Sequence, residues 1–153
     1  MHSLDQITLL PLKPEDAWNF FSNPANLGKI TPPGMNFQIT SDNSDYEMYP
    51  GMIITYKVSP IFNIPVSWVT EITQVEKYQY FIDSQVSGPY KFWHHQHIFR
   101  EFNGGTEMRD LLHYGMPYGA FGRLLEKSLV NRRVEYIFNF RKRKLEELFG
   151  PTG

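Results

Sequence analysis

The stretch Gly88–Phe99, GPYKFWHHQHIF, gathers side chains that can do chemistry. His94, His95 and His97 stand beside Trp93, in a chain that has only five histidines and three tryptophans. An imidazole titrates near neutrality, so it can move a proton, hold a metal ion or partner a buried carboxylate. On a β-strand successive side chains alternate between faces, which groups Trp93, His95, His97 and Phe99 on one side. Phe92, His94, Gln96, Ile98 and Arg100 then share the other, and the first set reads as the interior. In the next segment Thr106, Met108, Asp110, Leu112 and Tyr114 form a mostly apolar face with one acid. A hairpin at Asn103-Gly104-Gly105 would bring Asp110 beside His95 or His97.

Three chemistries fit an imidazole next to a carboxylate. In the first, the groups satisfy one another as a polar cluster in a pocket wall and orient the polar end of a ligand, because an unpaired buried charge costs several kcal/mol. In the second, Asp110 or Asp83 orients a histidine for acid–base work, as enolisation, aldol cyclisation or dehydration requires. His95, His97 and Asp110 are the catalytic candidates in that case. In the third, His95, His97 and an aspartate converge on a metal ion from alternate strand positions. Nothing supplies a further ligand at a diagnostic spacing, so neither metal nor cofactor is expected. Ser84, Ser87 and Ser128 lie in no nucleophile-elbow context and no glycine loop suits a phosphate, which removes serine-hydrolase and nucleotide-dependent readings. The lack of cysteine removes disulfides, thiolate metal sites and a cysteine nucleophile.

The elements that must position these residues follow from punctuation and periodicity. SLDQITLL reads as a first strand. PEDAWNFFSN reads as a helix starting at Pro14, where the missing N–H costs nothing and Glu15 and Asp16 complement the dipole. Ala17, Phe20 and Phe21 give it a buried face, with Trp18 near the edge. SNPANLGKI restarts a helix with Asn23 as cap and Pro24 in the first position. Six strands are expected at about 36–41, 52–58, 64–76, 78–87, 91–102 and 105–115, joined by short turns into an antiparallel meander. On the third of these, Val66, Trp68, Thr70 and Ile72 face inward. A long helix closes the chain, with Val130, Val134, Ile137, Arg141, Leu145 and Leu148 along one face.

At 153 residues the chain suits one domain, residues 1–153, large enough for a core and a cavity. Aromatic residues make up 16% of it, the usual lining of small-molecule pockets and also the usual filling of cores. Fifteen basic residues against sixteen acidic ones leave no global field to recruit nucleic acid or an anionic membrane. The run RKRK, Arg141–Lys144, reads as a solvated helix end that complements the dipole. No apolar run approaches the roughly 18 residues of a membrane span, and the N-terminus has no signal-like pattern, so a cytoplasmic protein without stable membrane insertion is expected.

This order, with LPLKPEDAWNFFSNPANLGKITPPG, WVTEI, FIDSQVSGPYKFWHHQHIF, GGTEMRDLLHYGMPYG and YIFNFRKRKLEELF, resembles the START-like helix-grip superfamily (START/Bet v 1-like). It is most similar to its bacterial SRPBCC branch of ligand-binding and polyketide-cyclase-like proteins. Phe81, Asp83, Gln85, Gly88, Pro89, Trp93, His95, His97, Phe99, Gly104, Gly105, Thr106, Met108, Asp110, Tyr114 and Pro117 carry the likeness. The resemblance implies an α+β fold: a curved seven-stranded antiparallel sheet around a long C-terminal helix, with two short helices after the first strand. It also decides a conflict. Hydropathy alone would turn Tyr80, Ile82, Ser84 and Val86 inward, whereas the resemblance implies that Phe81, Asp83 and Gln85 face the pocket.

The expected function is the binding of a small hydrophobic or amphipathic molecule, such as a lipid, polyketide or aromatic metabolite, between sheet and helix. The expected apolar contacts are Trp68, Phe81, Trp93, Phe99, Met108, Leu112, Tyr114 and Phe121; the expected polar ones are His95, His97, Asp110, Asp83 and Gln85. Glycines in Gly115–Gly122 would allow either a mobile entrance or a rigid turn. The alternatives are a cyclase or dehydratase using the same polar residues, and a protein-interaction module presenting a sheet edge or the helix.

Overall fold

The computed structural model of the protein describes residues 1–42, 47–59, 63–115 and 129–150. Strand β1 (His2–Leu10) leads into helix α1 (Pro14–Phe21), a 3-10 helix (Pro24–Ile30) and a 3-10 turn (Pro33–Met35). Strands β2 (Gln38–Ile39), β3 (Ile53–Val58), β4 (Val66–Glu76), β5 (Tyr80–Ser87), β6 (Phe92–Phe102) and β7 (Gly105–Gly115) follow, and then helix α2 (Asn131–Phe149). All seven strands form one curved antiparallel sheet in the order β1-β7-β6-β5-β4-β3-β2. Only β1 breaks the meander, pairing with β7 across the length of the chain. Helix α2 lies against β1 and the 3-10 helix, on the concave side.

Local chemistry explains the joints. Asn103 (φ 49°) and Gly104 (φ 79°) form the two-residue turn between β6 and β7, a left-handed pair that matches the twist of the strands it joins. That turn sets the register for all eleven residues of each strand. Asn23 Oδ1 accepts the Ala25 N–H at the start of the second helical segment, which winds as a 3-10 rather than an α-helix. Strand β2 is two residues long, not six: Asn36 is left-handed (φ 50°) where it closes the 3-10 turn, so extended pairing starts only beyond it.

Two readings of the helices change. Trp18 is the centre of the buried face of α1, not its edge, and its indole meets Phe81 and Phe99 edge-on at 5.7 and 5.6 Å between centroids. On α2 the buried line runs through Val134, Phe138, Arg141 and Leu145. Ile137 is only half-buried and Leu148 is 43% exposed, because three residues past Leu145 the helix has turned about 60° off that line. Among the described residues no helix is long and apolar enough to cross a membrane.

Among the described residues the interior has two apolar clusters. One is built around Trp18, Ile72, Phe81, Phe99 and Met108; the other around Trp68, Tyr90, Leu112, Val134 and Phe138. His97 stacks on Phe81 of the first (4.0 Å between centroids) and His95 meets Phe138 of the second (5.4 Å). A polar cluster therefore sits where the two meet.

Candidate functional site

Four elements deliver five polar side chains to this junction: Asp83 from β5, His95 and His97 from β6, Asp110 from β7 and Arg141 from α2. Register places Asp83 opposite His95 and His97 opposite Asp110, so each imidazole has a carboxylate on both neighbouring strands. His95 Nε2 hydrogen-bonds Asp110 Oδ1 at 2.8 Å, and its Nδ1 lies 3.5 Å from Asp83 Oδ2. His97 Nε2 hydrogen-bonds Asp83 Oδ2 at 2.5 Å, and its Nδ1 lies 3.6 Å from Asp110 Oδ1. The two imidazole rings are 3.8 Å apart. Trp93 Nε1 donates to the other Asp83 oxygen at 3.3 Å, and Arg141 approaches Asp110 to 3.9 Å while lying over the Phe138 ring.

Burial and charge pull against each other here. Burial alone raises the Asp83 carboxyl, but His95, His97 and Arg141 outweigh it and hold the group below the usual carboxylate range. Asp110 behaves likewise, with burial overcome by the hydrogen bond and charge of His95 and then by Arg141. Burial, followed by the nearby His95, pushes His97 down to about 4 against the pull of both carboxylates. Among the described residues two carboxylates face one guanidinium, so with neutral imidazoles the cluster is one positive charge short of balance. Buried, that deficit favours a proton or another cation.

Among the described residues two cavities of about 80 Å³ each adjoin the cluster, each with room for several water-sized groups. The first is lined by apolar side chains including Phe21, Met48, Ile54, Ile72 and Phe81, with Thr70, Asp83 and His97 as polar wall. The second is lined by Met35, Val58, Trp68, Tyr90, Trp93, Ile137, Phe138 and Arg141, among others. Leu27, Phe37 and Tyr56 line both, and the Phe37 and Tyr56 rings stand 5.0 Å apart. Side chains, not backbone, thus divide one concave space. Burial, and then Asp83, raise the Tyr56 phenol well above its ordinary value. Trp68 Nε1, His97 Nδ1 and Arg141 Nε are buried with no hydrogen-bond partner among the described residues.

Of the residues singled out in the sequence, Trp68, Phe81, Asp83, Trp93 and His97 border the cavities. His95 and Asp110 stand behind them, bonded to each other. Phe99 packs with Trp18, and Met108 and Leu112 are fully buried. The Tyr114 hydroxyl donates to Asn131 Oδ1 at 2.6 Å, tying β7 to α2. Gln85 lies apart: its amide donates to the Tyr90 carbonyl at 2.5 Å and accepts from the Tyr90 N–H at 3.0 Å, closing the β5–β6 turn. Phe121, the rest of the stretch after Gly115 and Ser128 lie outside the described residues. Tyr56, Phe37, Leu27 and Arg141 were not anticipated as site residues. For Arg141 a signal existed: a charged side chain on the apolar stripe of a helix needs a buried partner.

No family model matches the chain, and no curated protein matches its sequence. Solved structures resemble it closely in backbone and weakly in sequence. Protein CV1439 from Chromobacterium violaceum superposes with a TM-score of 0.75 at 10% identity, covering 99% of this chain and 100% of its own. Major latex-like protein 151 from Panax ginseng gives 0.69 at 13%, covering 98% of each chain. Protein Ms6760 from Mycobacterium smegmatis gives 0.68 at 17%, covering 95% of this chain and 89% of its own.

Proposed function

We propose that this chain, which has the helix-grip fold of START and Bet v 1-like proteins, binds a small amphipathic molecule in the space between sheet and C-terminal helix. The carrying observation is the divided cavity, apolar on most of its wall and polar where Asp83 and His97 border it. Burial of apolar rings or chain against Phe81, Ile72 and Trp68 supplies affinity, at roughly 25 cal/mol per Å² removed from water. Asp83 and His97 supply orientation: a ligand hydroxyl or amine can donate to the carboxylate, and a carbonyl can accept from a protonated imidazole nitrogen. Lipids, polyketides and aromatic metabolites satisfy this description. Native mass spectrometry of the purified protein tests it. An apolar adduct at one per chain, released on denaturation, is the expected result; a clean mass together with no response to aromatic and acyl compounds would sink it.

One observation favours a second reading, acid–base catalysis of the cyclase or dehydratase type. His97 borders the cavity while Asp83 holds its Nε2 and Phe81 and His95 sandwich its ring, which fixes an imidazole against any bound molecule. On this reading His97→Gln removes turnover of a cyclisable polyketide-like substrate with little change in affinity. Turnover that survives both His97→Gln and Asp110→Asn eliminates it.

A further inference from the structure

We infer that Asp83, His95 and His97 form a binding site for a divalent transition-metal ion, open on one side to the cavity. One donor atom from each residue lies within 4.8 Å of the other two. Asp83 Oδ2 is 3.5 Å from His95 Nδ1 and 2.5 Å from His97 Nε2. Donors about 2.0–2.2 Å from a tetrahedral ion stand roughly 3.3–3.5 Å apart. Of the three separations one already has that size, the His97–Asp83 one opens by about 1 Å when an ion replaces the proton between them, and the one between the two imidazole nitrogens lies within 4.8 Å. The aspartate that the sequence left unassigned is Asp83, delivered by the neighbouring strand β5.

The surroundings suit an ion as well as the donors do. A histidine that binds metal through one nitrogen characteristically donates the other N–H to a carboxylate, which fixes its ring and tautomer. His95 has this arrangement: Nε2 is bonded to Asp110 at 2.8 Å, and Nδ1 is turned toward Asp83. His97 has it incompletely. With Nε2 on the metal its proton moves to Nδ1, the buried atom that lacks a partner and stands 3.6 Å from Asp110. A small closure gives it one. The charge deficit has the right sign, and Arg141 contacts Asp110, the carboxylate outside the donor set. Asp83 and His97 both border the cavity, so the remaining coordination position faces it. Two imidazoles and one carboxylate favour borderline ions such as Zn²⁺, Fe²⁺ and Co²⁺ over Mg²⁺ or Ca²⁺. This inference does not rest on the organic ligand proposed above, and metal uptake is measured without it.

The test is a Co²⁺ titration of the full chain, followed by visible absorption and by NMR of ¹⁵N-histidine-labelled protein, with Zn²⁺ as competitor. Expected are one Co²⁺ per chain, displacement by one equivalent of Zn²⁺, and Zn²⁺-induced shifts confined to His95 and His97, the latter reporting an Nδ1–H tautomer. Asp110→Asn should weaken binding about 10–100-fold while leaving one ion per chain, and Asp83→Asn should abolish it. His94 and His113, paired across β6 and β7 on the other face, are the internal control. The unmodified chain decides the matter whether or not a variant folds: no uptake at millimolar Co²⁺, or shifts at His94 and His113 with His95 and His97 unmoved, would overturn the inference.

Discussion

The two faces of β6 carry the same residue type to different ends. His94 and His95 are adjacent in sequence, yet His94 lies half-buried against Phe92 on the outer face, opposite Ser84 and His113, while His95 is buried between two aspartates. The outer imidazole has water as an alternative partner. The inner one has none, so Asp83, Asp110 and Arg141 fix its role. Three consequences distinguish the inner site from the outer face: a charge deficit, orphaned donors and a cavity wall. Chemistry on this sheet follows from the partners that neighbouring strands deliver, not from the density of histidines on one strand.

Variants can sharpen this contrast. The largest effect is expected for Asp110→Ala, which takes the buried hydrogen-bond partner from His95 and the nearer carboxylate from Arg141; urea denaturation should record a loss of about 3–5 kcal/mol. Trp93→Phe keeps most of the ring but removes the N–H that Asp83 accepts, for a loss of about 1–3 kcal/mol in the same assay. On the outer side of the sheet, Asp5→Asn breaks a bidentate pair with Arg109 that is largely exposed, so the change should stay under about 1 kcal/mol and shrink further in 1 M salt. His94→Gln should be smallest, within about 0.5 kcal/mol, with the His95 and His97 resonances unmoved. A large loss from His94→Gln, or a negligible one from Asp110→Ala, would erase the distinction between the faces.

Where strands alternate cleanly, the sequence was readable. FWHHQHIF and GTEMRDLLHYG alternate, and the Asn103-Gly104 turn between them fixes their register, so the meeting of His95 and His97 with Asp110 followed from local rules. Strand β5 was not readable by hydropathy. Val86 is apolar yet 61% exposed, and Asp83 is acidic yet turned inward, because donors from His97 and Trp93 on the next strand stabilise it there. Likeness to a known motif, not residue type, oriented that strand. Arg141 illustrates the same limit at longer range: its place on the helix stripe was visible, but its partner Asp110 lies on β7, and nothing local announces the pair. The partition of the cavity was illegible for a further reason. Phe37 follows the left-handed Asn36 in a segment expected to be strand, and its ring meets Tyr56 only once β3 is in position.

The account's central claim is that the concave space beside Asp83 and His97 receives a small apolar molecule. A fluorescence titration with the neutral probe N-phenyl-1-naphthylamine, run on the unmodified chain and on Ile54→Trp, tests it most directly, because Ile54 lines the first cavity and a larger ring there fills it. The account predicts one-to-one binding by the unmodified chain and at least tenfold weaker binding by the variant, with both circular dichroism spectra alike. Equal binding by the two, or no binding by a folded unmodified chain, would contradict it.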